Sequence, residues 1–334
     1  MEQTLIVGAG ALGAMYAERL EAAGMPVAFL ADGPRAERLR TTGVIVNGRR
    51  LRISVETVAD RKVAGRTAAG LIEAGQAGAG RPGRRPPDYV LVALKHHHLS
   101  AALPAVAAVV GDDTTVFSVM NGIDSEAQLA EALGDSRDTG RVVHAMVAGM
   151  DAVREGCRVR YTRLGKVWIG ERTNDPHHPT ARVQRLAEHL EQAGIAWEVP
   201  ADMEHMIWNK FMLNVGINQW SAVLKAPYGV FHRQETARRL VRDTMHEVMA
   251  VAGAMGVELS EADGERWFEI IGTLSPEGET SMLQDVYAGR KTEVEMFAGR
   301  VIELGHRWNV PTPLNTALLR AIQVIEAEGL RQRG

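Results

Sequence analysis

Short apolar runs alternate with helical apolar spacing in the first part of the chain, whereas helical spacing dominates after residue 200. Strands that alternate with helices are typical of a parallel sheet covered by helices. The pattern therefore predicts an α/β domain with a doubly wound sheet over residues 1–199 and an all-α domain over residues 200–334. The apolar runs predict strands at residues 4–7, 27–30, 88–94, 115–120, 141–150, 158–163, 166–170 and 195–199.

A glycine-rich turn joins the first predicted strand to the first predicted helix. Its glycines have the spacing G-x-G-x-x-G, in which they permit a tight turn, close approach of a diphosphate and close packing of helix on strand. The helix start adds free N–H groups. The turn predicts a Rossmann-type dinucleotide site, a glycine-rich turn without a ligand being the alternative. The residues predicted to bind the cofactor here are Gly8, Ala9, Gly10, Ala11, Leu12 and Gly13.

Asp32 follows the second predicted strand, where an acidic residue accepts hydrogen bonds from the adenosine 2′-hydroxyl and repels a 2′-phosphate. This position favours NAD over NADP. NADP stays open, because Arg35, Arg38 and Arg40 could receive a phosphate if the following loop folds back.

Two polar residues follow buried strands at the edge of the sheet where ligands bind. Lys95 comes after the run 88–94 and Asn121 after the run 115–120. Ligands of open α/β sheets lie beyond the carboxyl ends of the strands. Lys95 and Asn121 are therefore candidates to contact the cofactor or its substrate, and solvated loop residues are the alternative. The adjacent His96, His97 and His98 do not predict a metal site, because consecutive side chains diverge and no second cluster stands at ligand spacing.

The intervening segments are a hairpin and an insertion. Residues 43–48 and 51–55 are predicted to form a hairpin around Asn47-Gly48. Residues 61–87 are rich in Gly, Ala, Arg and Pro, which favours a solvated loop over a patch that binds a partner.

The first long helical stretch after residue 200 carries a polar stripe. Lys210, Asn214 and Asn218 are spaced i, i+4 and i+8, and Ser221 points in nearly the same direction. Polar side chains in line on an otherwise apolar helix are costly when buried without partners. We interpret them as a buried polar stripe, with a solvated face as the alternative. Further along, Ser281 and Glu293 are candidates, although Ser281 with Gln284 also fits a capping box.

Composition limits the functional class. The 334 residues are 46% hydrophobic and 24% charged, with a formal net charge of −3, so neither nucleic acid nor an anionic membrane is an expected partner. The single cysteine, Cys157, excludes an intrachain disulfide and suits a reducing compartment. No targeting or membrane-spanning segment is predicted, and a cytoplasmic location is expected. The oligomeric state stays open, with a homodimer as one alternative.

These residues together resemble the ketopantoate reductases, or 2-dehydropantoate 2-reductases, over nearly the whole chain. The most specific part of the resemblance lies in the order and spacing of blocks in the second half: Trp208-Asn209-Lys210 with Asn214 and Asn218, then Ser281 to Asp285, then Lys291-Thr292-Glu293. The resemblance implies a Rossmann domain joined to a helical domain, with the active site in the cleft between them. It also implies hydride transfer from NADPH to the C2 ketone of ketopantoate, which yields pantoate on the vitamin B5 route.

The resemblance also implies roles for individual residues. Lys210 matches the catalytic lysine that donates a proton to the carbonyl oxygen, and Glu293 matches the acidic residue that interacts with this lysine and the substrate. Asn214, Asn218 and Ser281 match substrate contacts. Lys95 and Asn121 match positions near the cofactor and the carbonyl group.

There are three departures from the family pattern, of which the first strengthens the preference for NAD and the last two leave the substrate open. Asp32 stands where an arginine is usual, Tyr228 stands where some members have asparagine, and the 61–87 segment is longer than usual. The alternative is an NAD-dependent reductase or dehydrogenase of another branched 2-oxo or 2-hydroxy acid on the same fold. A catalytically silent dinucleotide-binding regulator is the alternative from a different class, and the joint presence of Lys210, Asn214, Ser281 and Glu293 speaks against it.

Overall fold

The computed structural model describes residues 2–61, 85–136 and 140–331. Most of the predicted insertion at 61–87 lies outside the described residues. The chain divides into two compact units, Met1–Met203 and Glu204–Gly334. The sequence pattern placed the division after residue 199, in the segment that precedes the first helix of the second unit.

Strands and helices alternate through the first unit. Its helices are α1 (Ala11–Ala22), α2 (Gly33–Thr42), α3 (Leu99–Val109), α4 (Ser125–Leu133) and α5 (Ala181–Gln192). Its strands are β1 (Thr4–Val7), β2 (Val27–Leu30), β3 (Ile45–Val46), β4 (Arg49–Arg50), β5 (Ser54–Glu56), β6 (Tyr89–Val92), β7 (Thr115–Ser118), β8 (Val142–Met150), β9 (Val153–Glu155), β10 (Arg158–Arg160), β11 (Leu164–Gly170) and β12 (Ala196–Glu198).

The main sheet has the order β12-β11-β8-β7-β6-β1-β2-β5. Six neighbouring strands of this sheet, β8, β7, β6, β1, β2 and β5, are mutually parallel, and β11 pairs antiparallel with β8. The chain first builds outward from β1 to β2 and β5, and then returns to the other side of β1 with β6. This reversal places a topological switch point between β1 and β6, as in the Rossmann arrangement.

Alternate residues of each parallel strand point to opposite faces of the sheet, and each face has its own apolar core. Ile6 of β1 belongs to a core that includes residues of α1 and α5. The neighbouring Leu5 belongs to a second core that includes residues of α3 and α4. Helices therefore cover both faces, and the predicted doubly wound sheet is confirmed.

A small second sheet of order β4-β3-β10-β9 corrects one prediction. Asn47 and Gly48 do form the turn of a hairpin, with φ angles of 48° and 84°. However, the second arm is Arg49–Arg50, while Ser54–Glu56 pairs with β2 in the main sheet. A strand pattern reports that a segment is extended, but the choice of pairing partner depends on contacts that are distant in sequence.

All described secondary structure of the second unit is helical, which confirms the prediction. The helices are α6 (Met203–Leu224), α7 (Tyr228–Arg233), α8 (Glu235–Ala254), α9 (Glu261–Gly272), α10 (Ser281–Tyr287), a π-helical turn (Glu295–Gly299), α11 (Arg300–Trp308) and α12 (Pro313–Arg331). Gly216 of α6 lets α8 approach closely, because a Cβ atom there would lie 2.9 Å from the Met245 side chain.

Across the described residues, no helix combines the length and the apolar character that crossing a membrane requires.

Candidate active site

The glycine-rich turn between β1 and α1 has the geometry that its sequence predicts. Gly8 has φ +110°, and a Cβ atom there would lie 2.4 Å from the Ala93 carbonyl oxygen. A Cβ atom on Gly13 would lie 1.9 Å from the Gly8 carbonyl oxygen. Both glycines are therefore required by the fold itself, through backbone conformation at one and close packing at the other.

Gly10 differs from its two neighbours in the motif. A Cβ atom at Gly10 would lie 3.6 Å from the Ala93 carbonyl oxygen, an ordinary van der Waals contact. The protein's own packing therefore leaves room that a side chain would fill. This free space lies at the start of α1, where a bound phosphate would approach the backbone.

The start of α1 fits a phosphate. Gly10 is the N-cap residue and offers no side-chain cap, and the first turn carries no acidic residue. The first N–H groups of a helix have no partner within the helix, and they carry the positive end of its dipole. The turn therefore has the chemistry of an anion site, and these residues suit a dinucleotide diphosphate.

Asp32 lies at the end of β2, as predicted, and is exposed. It is the N-cap residue of α2, but its side chain does not cap that helix. Instead its Oδ1 accepts a hydrogen bond from the backbone N–H of Val58 at 3.2 Å. The carboxylate thus holds the chain that follows β5 beside the end of β2.

Lys95 and Asn121 follow the neighbouring parallel strands β6 and β7, and both are half-buried. The turn Gly8–Gly13 follows β1, which pairs with β6. The fold therefore brings the glycine turn, Lys95 and Asn121 to the same edge of the sheet. Lys95 immediately precedes a 3₁₀ turn, His96–His98.

Glu126 of α4 lies close to Asn121 in sequence, and the sequence gives no indication of its environment. Its side chain is buried and accepts a hydrogen bond from the Ser125 hydroxyl at 2.9 Å. Burial raises the pKa of Glu126 to about 7, although this hydrogen bond and backbone N–H donors act in the opposite direction. In the sequence, Glu126 is indistinguishable from an ordinary carboxylate in the first turn of a helix. Its burial cannot be predicted locally, because it depends on the packing of the whole unit.

The predicted polar stripe lies on α6. Lys210 and Asn214 are half-buried and Asn218 is buried. The Asn218 amide nitrogen donates to the Asn214 side-chain oxygen at 3.4 Å. Ser221 does not extend this pair, because its hydroxyl donates to the Ala226 carbonyl oxygen at 2.6 Å and stabilises the end of the helix. The two asparagines of the stripe are therefore paired with each other, and the lysine lies one turn before them.

Asn209, which precedes the lysine, is held from both ends of its amide by α9. Its nitrogen donates to Asp263 at 3.3 Å, and its oxygen accepts from the Trp267 indole N–H at 2.5 Å. Asp263 also completes the capping box of α9 with Ser260. These contacts fix the turn of α6 that carries Lys210.

The two candidates near the end of the chain lie on different elements. Ser281 is exposed at the first position of α10, and Thr280 caps that helix by accepting from the Leu283 N–H at 3.2 Å. The capping box that was the alternative for Ser281 is therefore not formed, because Thr280 caps the helix. Glu293 is buried and precedes the π-helical turn, whose residue Phe297 donates its N–H to the Glu293 carbonyl oxygen at 3.0 Å.

Glu293 is held in place by its neighbour. The Thr292 N–H and hydroxyl both donate to Glu326 of α12, at 2.7 and 2.6 Å. The segment before the π-helical turn is therefore anchored to the last helix. Over the described ranges, no group of three or more His, Cys, Asp and Glu residues is arranged to hold a metal ion.

Comparison with known proteins agrees with this arrangement in both units. The family described as ketopantoate reductase PanE/ApbA matches residues 4–174, and its C-terminal counterpart matches residues 202–326. A 2-dehydropantoate 2-reductase of Mesorhizobium japonicum is 28% identical over 346 residues, covering 97% of each chain.

Solved structures share the fold. The 2-dehydropantoate 2-reductase of Geobacter metallireducens is 25% identical with a TM-score of 0.77, covering 96% of this chain and 99% of its own. A D-mandelate dehydrogenase solved with NADH and anilino(oxo)acetate has a TM-score of 0.80 at 18% identity, covering 98% and 99%. At that identity the second likeness concerns the fold alone.

Proposed function

Because the chain belongs to the ketopantoate reductase family, we propose that it reduces the C2 ketone of ketopantoate to pantoate with a nicotinamide dinucleotide. The observation that carries this proposal is the polar stripe of α6. A half-buried lysine precedes two hydrogen-bonded amides on a helix that is otherwise apolar. Each buried polar group must find a hydrogen-bond partner, so a helix with a purely structural role would carry apolar residues at these positions.

The bound cofactor would supply the hydride that reaches the C2 carbon. The residues that would hold its diphosphate are those of the turn Gly8–Gly13, including the uncapped N–H groups of Ala11 and Leu12. Lys95 and Asn121, at the same edge of the sheet, would lie near the nicotinamide and the reacting carbonyl group.

Lys210 would act as the general acid. Its ammonium group would donate a proton from Nζ to the ketone oxygen as the carbon is reduced. Glu293 would favour the charged form of the lysine, since a nearby carboxylate stabilises an ammonium group. Asn214 and Asn218 would orient the substrate through their amides, and the exposed Ser281 hydroxyl would bind its carboxylate or hydroxyl group.

We further propose that NADH is preferred to NADPH. The exposed carboxylate of Asp32 lies at the end of β2, where it would repel a 2′-phosphate. We expect Asp32→Arg to shift the ratio of kcat/KM values toward NADPH. Steady-state kinetics with both cofactors measures this ratio, and an unchanged ratio would remove Asp32 from cofactor selection.

A second candidate is reduction of a bulkier branched 2-oxo acid. Tyr228 stands where a polar asparagine is expected, and it is half-buried at the start of α7. The aromatic ring would remove one polar contact to ketopantoate and add apolar surface for a larger side chain.

A substrate panel decides between the two candidates. Purified protein is assayed with NADH and NADPH against ketopantoate and a series of branched and aromatic 2-oxo acids. We expect the highest kcat/KM with ketopantoate. Turnover of a bulkier acid without turnover of ketopantoate would establish the second candidate, and no turnover of any acid would contradict both.

A further inference from the structure

Arg154 extends from the small sheet to the glycine-rich turn. It lies on β9, where its Nε donates to the Gly156 carbonyl oxygen at 2.8 Å. Its Nη1 donates to the carbonyl oxygen of Ala9, the residue between the first two glycines of the motif. The two residues are far apart in sequence, so the contact depends on how β9 and β10 pack beside α1. The small sheet thereby delivers a guanidinium group to the predicted diphosphate site.

Arg35 carries a second guanidinium group, whose positive charge acts on Arg154. It lies in the first turn of α2, three residues after Asp32, and is half-buried like Arg154. Burial lowers the pKa of Arg154, and the positive charge of Arg35 lowers it further. Burial, followed by the charge of Arg38, also lowers the pKa of Arg35. The two cations therefore share one partly dehydrated region.

Neither cation is paired with a carboxylate within the described ranges. Arg154 donates to two backbone carbonyl oxygens, and the nearby Asp32 carboxylate accepts from the Val58 N–H. By contrast, the half-buried Arg141 of the same unit is paired with the Asp135 carboxylate at 2.7 Å. Two half-buried like charges without a counter-charge are unfavourable, because desolvation and repulsion act together. An anion bound between them would relieve both effects.

The position of the pair indicates which anion it suits. Ala9 belongs to the turn that receives the diphosphate, and Arg35 follows the strand whose end meets the adenosine ribose. We propose that Arg154 and Arg35 bind a phosphate group of the adenosine half of the dinucleotide. This inference rests on the proposed function in that it takes the ligand to be NAD(H) or NADP(H). It gives the small sheet a role in cofactor binding, through a residue outside the glycine motif.

Direct binding of adenosine ligands tests the proposal without enzymatic turnover. Titration calorimetry compares adenosine, 5′-ADP and 2′-AMP on the native protein, Arg154→Met and Arg35→Met. We expect each variant to bind a phosphorylated ligand about 10–100-fold more weakly, as for the loss of a hydrogen bond to a charged group. Adenosine should bind unchanged. Arg158→Met, which removes an exposed arginine of β10, is the matched control and should bind all three ligands normally.

The two phosphate ligands identify the source of the anion. Selective weakening of 5′-ADP assigns the pair to the diphosphate that NAD and NADP share. Selective weakening of 2′-AMP assigns it to the 2′-phosphate, and then NADPH rather than NADH would be the preferred cofactor. Either result supports the proposal, and Arg154→Lys should recover part of the lost affinity because it keeps the charge.

Three results would overturn the proposal. Both phosphorylated ligands could bind the two variants as tightly as the native protein. Adenosine binding could weaken to the same extent, which would show that the arginines act only on the shape of the pocket. The native protein could bind neither phosphorylated ligand. If arginine-dependent binding of 5′-ADP persists while no 2-oxo acid is reduced, the proposed function fails and this inference stands.

Discussion

The two units build their candidate sites by different physical means. In the first unit the site consists largely of backbone, since Gly8 and Gly13 exclude side chains and Gly10 leaves the start of α1 open. In the second unit the site consists of side chains on α6, the ammonium of Lys210 and the amides of Asn214 and Asn218. A backbone site can be recognised from local glycine spacing. A side-chain site acquires its properties from burial, which the surrounding helices provide.

The largest expected effect concerns the ammonium group of α6. We expect Lys210→Met to lower kcat by roughly 10²–10⁴-fold, the usual contribution of a general acid. Dinucleotide binding should stay unchanged, because the predicted diphosphate site lies in the first unit. Steady-state kinetics and cofactor titration measure the two properties separately. Lys225→Met, which removes an exposed lysine after α6, is the control. Retention of activity within a few-fold would exclude Lys210 as the proton donor.

The next effect concerns two buried titratable groups of the first unit, whose influences on stability have opposite signs. Burial raises the pKa of Glu126 to about 7 from an ordinary value of 4.5, so its folded form binds protons more tightly. This costs stability as pH rises from 4.5 to 7. Burial lowers the pKa of His189 from 6.5 to about 4, so stability is lost as pH falls through that range. Each contribution is about 3 kcal/mol by proton linkage.

Paired variants separate these contributions. Relative to the native protein, Glu126→Gln should gain stability as pH rises from 4.5 to 7, because the Glu126 penalty is absent. His189→Gln should gain stability as pH falls from 6.5 to 4. Urea unfolding at a series of pH values measures the free energy of unfolding, and the double variant should show both gains. Differences from the native protein that do not change with pH would show that neither group has a shifted pKa in the fold.

A third pair of variants tests the backbone site. We expect Gly13→Ala to destabilise the protein by about 1–3 kcal/mol, as for other overpacked sites, because the added methyl group meets the Gly8 carbonyl. Gly10→Ala should change the free energy of unfolding by less than about 0.5 kcal/mol, yet it should weaken dinucleotide binding. Equal effects of the two substitutions on stability would contradict the distinction between them.

The smallest effect concerns a buried hydroxyl group. Tyr16 of α1 is buried, and its hydroxyl has no hydrogen-bond partner across the described residues. Removing an unsatisfied polar group stabilises a fold, so Tyr16→Phe should raise the free energy of unfolding by about 1 kcal/mol. Tyr161→Phe is the contrasting variant, because the Tyr161 hydroxyl donates to Glu18 at 2.8 Å. It should lower stability, and a loss in both variants would show that Tyr16 has a partner.

For the first unit, the sequence predicted the positions of the strands better than it predicted which strands pair. The strands that form the sheet and the glycine turn are where the pattern placed them. The prediction of the hairpin was correct only for its turn and first arm, because Ser54–Glu56 pairs with β2 instead. Apolar alternation encodes extended structure locally, whereas strand pairing is settled by the competition among all strands for partners.

In the candidate site, too, the sequence predicted what local spacing encodes and missed the contacts between distant residues. Spacing placed Lys210, Asn214 and Asn218 on one stripe of α6, since helical periodicity is local. The same spacing placed Ser221 in line with them, but it could not show that the Ser221 hydroxyl donates to the Ala226 carbonyl oxygen or that Thr280, not Ser281, caps α10. It also could not indicate that Asn209 is held by α9, because those partners lie more than fifty residues away in the chain.

Sequence alone determined the elements, the glycine turn and the set of chemical groups, because periodicity and backbone conformation depend on near neighbours. Only the tertiary structure decided which groups are buried, which are paired and which meet. The contact of Arg154 with Ala9, the raised pKa of Glu126 and the anchoring of Thr292 by Glu326 belong to this second class. Each depends on desolvation and on residues brought together from distant parts of the chain, and no local pattern encodes either.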